Sequence, residues 1–222
     1  MTQIVASESN YVIQKPSNGL EGIKIIQTLR NIVNENGPSG TFVYADIFFI
    51  WEPYDNFTFT VAFSLMGALL AIFTIVLIFS GNICTTLLVV LNMALVILNL
   101  LGMTWYWNIE LNFISVINLI LAIGLAVDYS AHIAHAYNVT ESDIHCVTNR
   151  ERRISKVRKT FSKIGTSVFH GAVSTFLAIV TISASTSYIF RVFFKQWFGI
   201  IVFGIIHGFG LLPVLLSILG PL

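Results

Sequence analysis

The sequence predicts an all-α polytopic membrane protein, with five transmembrane helices preceded by the end of a small α+β ectodomain. Three observations carry that expectation. Of 222 residues, 55% are hydrophobic and only 10% are charged, and the mean hydropathy is +0.81, a balance that suits lipid better than water as solvent. No charged residue occurs between Asp55 and Glu110, a stretch long enough for two helical crossings of about 20 residues each. The basic residues concentrate in one loop, and such clustering reports topology. A formal net charge of +1 gives no electrostatic basis for a nucleic-acid partner, and none is expected.

Residues 1–56 are polar and mixed, and they lack the basic start followed by an apolar core that marks a signal peptide, so targeting is expected to come from a segment upstream. Leu20, Ile23, Ile26, Leu29 and Val33 recur at helical spacing, whereas Phe42 to Trp51 is rich in aromatic and β-branched residues, as strands are. A helix followed by a strand, ending at Pro53, is the expected α+β piece. Membrane spans are then expected at about 57–79, 83–102, 113–137, 165–188 and 196–219. Ser80-Gly81-Asn82 supplies the turn between the first two. Trp105, Tyr106 and Trp107 follow the second span where an interfacial aromatic belt belongs.

Orientation comes from the loop at 138–164, which carries Arg150, Arg152, Arg153, Lys156, Arg158, Lys159 and Lys163 and is therefore expected to be cytoplasmic. The segment 1–56 then lies outside or in a lumen. Within the basic loop, Ile154, Val157, Phe161 and Ile164 share one helical face, which suggests an amphipathic helix against the inner leaflet or a solvated topogenic charge run. Cys84 and Cys146 fall at or inside the cytoplasmic side, where no structural disulfide is expected. No metal-binding set is visible. Asn56-Phe57-Thr58 reads as the sequon of a glycoprotein but abuts the first span.

The chemistry lies in the third span. Asp128 is the only acid in any span, and a charge there costs roughly 2.5 to 3.5 kcal/mol on insertion scales. Gly124 stands four residues before it, with His132 four and His135 seven after, so all share one helical stripe. Burial favours the neutral acid and a nearby cation or water favours the carboxylate, so the group can load and release a proton. A helix-to-helix hydrogen bond is the plainer role for Asp128. His132 is either a titrating partner or a holder of the acid, and His135 reads as interfacial. His170 and His207 are lone histidines on apolar helices, read first as packing and second as titrating groups. Gly204 and Gly208 read as permitting close helix approach. An intramembrane enzyme would need a second acid, a nucleophile with its base, or a metal set on adjacent spans, and none is visible.

These residues carry a resemblance. Gly124-Leu125-Ala126-Val127-Asp128-Tyr129-Ser130-Ala131-His132 resembles the GxxxD segment in the tenth helix of the resistance-nodulation-division superfamily. It is joined by Ser174-Thr175-Phe176-Leu177-Ala178, by His207-Gly208, by Leu211 to Ser217 and by Gly220-Pro221, in the order seen in the closing helices of Patched and Niemann-Pick C proteins. Phe42-Val43-Tyr44 and Trp51-Glu52-Pro53-Tyr54 are similar to the end of the second ectodomain before the eighth helix.

The resemblance implies that the spans are helices eight to twelve of a twelve-helix transporter, with Asp128 opposite an acidic helix of the N-terminal half. Ions moving between the two would drive transport, with a transmembrane proton or Na⁺ gradient as energy source and no bound cofactor. Asp128-Tyr129 also resembles the paired residues of mycobacterial lipid exporters, which puts Tyr129 in the implied relay. The implied substrates are sterols and other lipids, in a plasma or endosomal membrane. The first half is absent from this sequence, so a partner half is expected, in the same chain if this is a piece of a longer product. A receptor or regulatory membrane protein without transport is the alternative.

Overall fold

The computed structural model describes residues 9, 12–14, 16–143 and 147–222. The chain divides into two units, Met1–Thr60 and Val61–Leu222. In the first, helix α1 (Gly19–Asn36) begins at Asn18, whose side chain accepts from the Glu21 N–H at 2.9 Å. Glu21 in turn accepts from the Ser17 hydroxyl and N–H, at 2.6 and 2.7 Å, and those bonds hold its carboxyl below the ordinary value. Ile23 and Ile26 of the predicted stripe are buried against Phe48, with Leu29, Val43, Trp51 and Tyr54 closing the cluster, while Leu20 stays exposed.

The strand expected over Phe42 to Trp51 does not form. Residues 42–47 are irregular and helix α2 (Phe48–Trp51) follows, running into a 3₁₀ turn at Glu52–Tyr54. A strand needs a neighbouring edge for its N–H and C=O groups, and no strand occurs among the described residues. The helical turn instead sets Phe48 and Trp51 three apart on one side against α1, and the N–H groups of Phe48 and Ile50 find Ala45 and Ile47 oxygens at 2.9 and 3.0 Å.

The second unit is helical. Helices α3 (Phe57–Ser80), α4 (Ile83–Tyr106) and α5 (Phe113–Val139) are followed by α6 (Asn149–Thr160), α7 (Thr166–Val180), α8 (Tyr188–Ile205) and α9 (Leu212–Leu219). A π turn at Phe161–Gly165 joins α6 to α7, and a 3₁₀ turn at Thr181–Ala184 closes α7. A second π turn, Ile206–Leu211, joins α8 to α9. Five helices are thus long and apolar enough to cross a membrane, the last two running Asn149–Ala184 and Tyr188–Leu219. Gly81, at φ 63°, makes the turn between α3 and α4, and Asn82 caps α4 through the Thr85 N–H.

The later helices differ from the expected spans. The basic segment is continuous with the fourth helix, because Val157, Phe161 and Ile164 pack into the bundle core and extending an existing helix is cheaper than nucleating another. Ile154 alone of the expected apolar face is exposed. The next helix starts at Tyr188, well before Gln196, since the chain is extended at Ser185 and Ser187 and re-enters helix at once. The π turn before α9 has a local cause. Pro213 lacks the N–H that would bond to Phe209 and its ring crowds that carbonyl, and a widened turn just upstream absorbs the mismatch.

Helix α5 is central, packing on α8 and α4. Its Ile123, Ala126, Ile133, Ala134 and Tyr137 meet Val89, Met93, Val96, Leu100, Ile200, Leu212 and Leu216 in one core. Helix α3 contributes to that core as buried residues only Ile72 and Val76. Leu65 and Leu69 pack half-buried against the same core, and Phe59, Phe63, Met66, Leu70, Ile75 and Ile78 are exposed, as on a lipid-solvated helix.

Candidate functional site

Two faces of α5 define the site. Ile117, Leu121, Gly124, Asp128, His132 and His135 are all exposed, at spacings of three and four that keep them on one side of the helix. The opposite side, with Ala126, Tyr129, Ser130, Ile133, Ala134 and Tyr137, is buried. The predicted stripe is therefore a real surface, and the bundle core lies behind it. Asp128 and His132 stand one turn apart on this face, and neither makes a hydrogen bond or ion pair among the described residues. A side chain added at Gly124 would meet nothing within 4 Å, so the face is open one turn from the acid.

Tyr129 goes elsewhere. One residue is a rotation of about 100°, which carries its ring from the stripe into the seam between α5 and α8. A Cβ built on Gly204 would lie 2.9 Å from Tyr129 Cδ2, and one built on Gly208 would lie 3.4 Å from Tyr129 Cβ. The two glycines let α8 approach the ring face. The tyrosine paired with Asp128 in sequence thus sits in the seam, away from the exposed stripe.

His135 and His207 acquire partners. His135 donates from Nδ1 to the Phe79 carbonyl at 2.9 Å. Beside it, Asn138 donates from Nδ2 to the Ser80 carbonyl (3.1 Å) and hydroxyl (2.6 Å), and its Oδ1 accepts from the Thr85 hydroxyl at 2.8 Å. These bonds tie the α3–α4 turn to the end of α5. His207 lies in the π turn, where its Nε2 is 3.0 Å from Asn99 Nδ2. His170 on α7 is exposed and has no hydrogen bond among the described residues. Cys84 Sγ lies 3.2 Å from the Leu219 carbonyl, and Cys146 falls outside the described residues.

Several polar residues escaped the sequence reading. Asn92 donates to the Ser130 hydroxyl at 3.0 Å within the α4–α5 contact. Gln196 of α8 donates to the Ser115 carbonyl at 3.0 Å. Asn92 and Asn99 fall seven apart on α4, two turns on one face, and that spacing of amides in an apolar helix was the available signal. Their partners lie on other helices and have no local signature. No group of three or more metal-binding side chains occurs among the described residues.

Five apolar helices, packed behind an exposed ionisable stripe on the central one, define a polytopic membrane protein with a polar surface at mid-helix. The chain is homologous to the Niemann-Pick C1-related and Patched proteins of the resistance-nodulation-division superfamily. It is 38% identical over 183 residues to NPC intracellular cholesterol transporter 1 homolog 1b of Drosophila melanogaster, an alignment covering 81% of this chain and 14% of the relative. Against NPC intracellular cholesterol transporter 1 of Sus scrofa the identity is 30% over 183 residues, with the same coverage of 81% and 14%. Against Protein patched homolog 2 of Mus musculus it is 30% over 204 residues, 90% of this chain and 16% of the relative. No protein-family model matches the chain. The chain therefore spans only 14–16% of the length of these relatives, and two of the three are named as transporters rather than as enzymes.

Proposed function

We propose that this chain supplies one half of the membrane bundle of an ion-coupled lipid or sterol transporter, with Asp128 as the group that binds and releases the coupling ion. The observation that supports it is the exposure of Asp128 on an otherwise apolar, membrane-length helix whose other face is fully packed. A carboxyl group in that position is costly against lipid alone. A second polar helix set against the stripe removes that cost and gives the acid an ion to exchange. Gly124 leaves room for such a helix, and His132 adds a second titratable group one turn toward the basic end. The gradient that drives the step is of protons or Na⁺, the occupant of the stripe is the N-terminal half of the transporter, and the basic helix α6 lies on the cytoplasmic side.

The sterol-transporter names of the relatives support the substrate class. The test is Asp128→Asn in the assembled transporter, with sterol movement measured in proteoliposomes under an imposed pH or Na⁺ gradient. Gradient-driven movement falls at least tenfold while the amount of folded protein is unchanged. Undiminished movement would overturn the assignment and favour a receptor or regulatory role, which has no need of the carboxylate.

A further inference from the structure

We infer that the outer side of α6 is a binding site for anionic phospholipid headgroups, independent of the transport reading. The segment from Asn149 to Lys163 carries seven basic residues and one acidic. Part of that charge is used inside the protein. Arg153 Nη1 donates to the Ile218 carbonyl at 2.7 Å, Lys156 Nζ sits 4.5 Å from the centre of the Tyr137 ring, and Lys159 pairs with Asp143 at 2.6 Å. Arg150, Arg158 and Lys163 remain exposed and have no ion pair or hydrogen bond among the described residues.

Their height selects the occupant. The Arg153 bond places that turn of α6 level with the last turn of α9, and the Phe161 ring stands edge-on to Phe209, 5.6 Å away. The helix therefore rises beside the bundle instead of projecting from it. Lys163 stands two residues before the apolar run that begins at Gly165, where the hydrocarbon is expected to start and a long amine side chain reaches back to the headgroups. Arg158 lies roughly 7 Å further along the axis at about 1.5 Å per residue, at headgroup level, whereas Arg150, roughly 20 Å along, stands beyond that layer. Exposed Phe169, six residues on the apolar side of Lys163, can meet acyl chain. Positive charge on an outward, lipid-level surface is complementary to phosphatidylserine and its relatives, which are enriched in the cytoplasmic leaflet.

The test uses the full chain in neutral detergent, titrated with dioleoyl phosphatidylserine or dioleoyl phosphatidylcholine and read by native mass spectrometry. Wild type binds phosphatidylserine at least tenfold more tightly than phosphatidylcholine. The R158Q/K163Q variant loses that preference, at about fivefold per charge removed. Equal binding of the two lipids by wild type overturns the proposal and needs no variant. So does a variant that folds and keeps the preference, which would reduce the charges to topology signals. Full competition by glycerophosphoserine at the same concentration also overturns it, since the site would then bind a soluble anion. Hydrogen exchange over 149–163 gives an independent reading: phosphatidylserine slows it in wild type, and an unchanged rate counts against the site.

Discussion

Asp128 and Tyr129 are adjacent in the chain but about 100° apart round the helix, one on the open face and one in the seam, so substitutions at the two positions act through different physics. Asp128→Asn removes a charge from an open face and is expected to leave packing intact. The seam behind it has no such tolerance, because the Tyr129 ring already lies against the Gly204 backbone. Gly204→Val is expected to destabilise the bundle by about 1–3 kcal/mol through overpacking, read as a lower thermal midpoint in detergent. Tyr129→Ala in the same chain recovers part of that loss, and a Gly204→Val protein as stable as wild type would show that the contact is loose. The stripe was legible because four positions on one helix, Gly124, Asp128, His132 and His135, obey a single period. Ser130 was not, since the residue that gives it meaning, Asn92, sits on another helix and only the fold brings them together.

Among the elements, α6 shows how far local sequence reaches. Thr148 and Glu151 form a reciprocal cap at its start, with the Glu151 carboxylate accepting from the Val147 and Thr148 N–H groups at 3.0 and 3.1 Å. Those bonds hold the Glu151 carboxyl below its ordinary value. The stabilisation is therefore complete above that ordinary value and is lost as pH falls through the depressed one. Thr148→Ala is expected to cost about 1 kcal/mol of local stability, seen as faster amide exchange in the first turn of α6 with the rest of the bundle unchanged. The spacing of Thr148 and Glu151 was readable from sequence. That α6 runs unbroken into α7 was not, because the basic face argued for the surface while Val157, Phe161 and Ile164 found the core. The segment Phe42 to Trp51 failed in the opposite sense. Its composition favours a strand, but strand formation depends on a neighbouring edge that composition does not reveal.

For the whole molecule, the five crossings followed from hydropathy alone, while their arrangement did not, since apolar helices carry little information about which neighbour each prefers. The polar pairs supply it: Asn92 with Ser130, Asn99 with His207, Gln196 with Ser115, and Asn138 with Ser80 and Thr85. Such bonds average about 0.6 kcal/mol in membranes, too little to drive folding but enough to choose among similar packings. Helix α3 takes this support at its C-terminal end. Its fully buried residues, Ile72 and Val76, and the interhelical bonds of Phe79 and Ser80 lie in its C-terminal half, while Leu65 and Leu69 pack half-buried against the core nearer its middle. A rod fastened most firmly at one end can act as a lever about it, with Asn138 at the fulcrum. At about 1.5 Å per residue the 24 residues of α3 make an arm of roughly 36 Å, so a swing of about 5° carries the far tip by about 3 Å. Asn138→Ala is expected to broaden the distance distribution between spin labels at Leu70 and Leu87, and an unaltered distribution would mean that packing alone sets the angle. A small change of angle at the Asn138 end is in this way magnified several-fold at the far tip of α3.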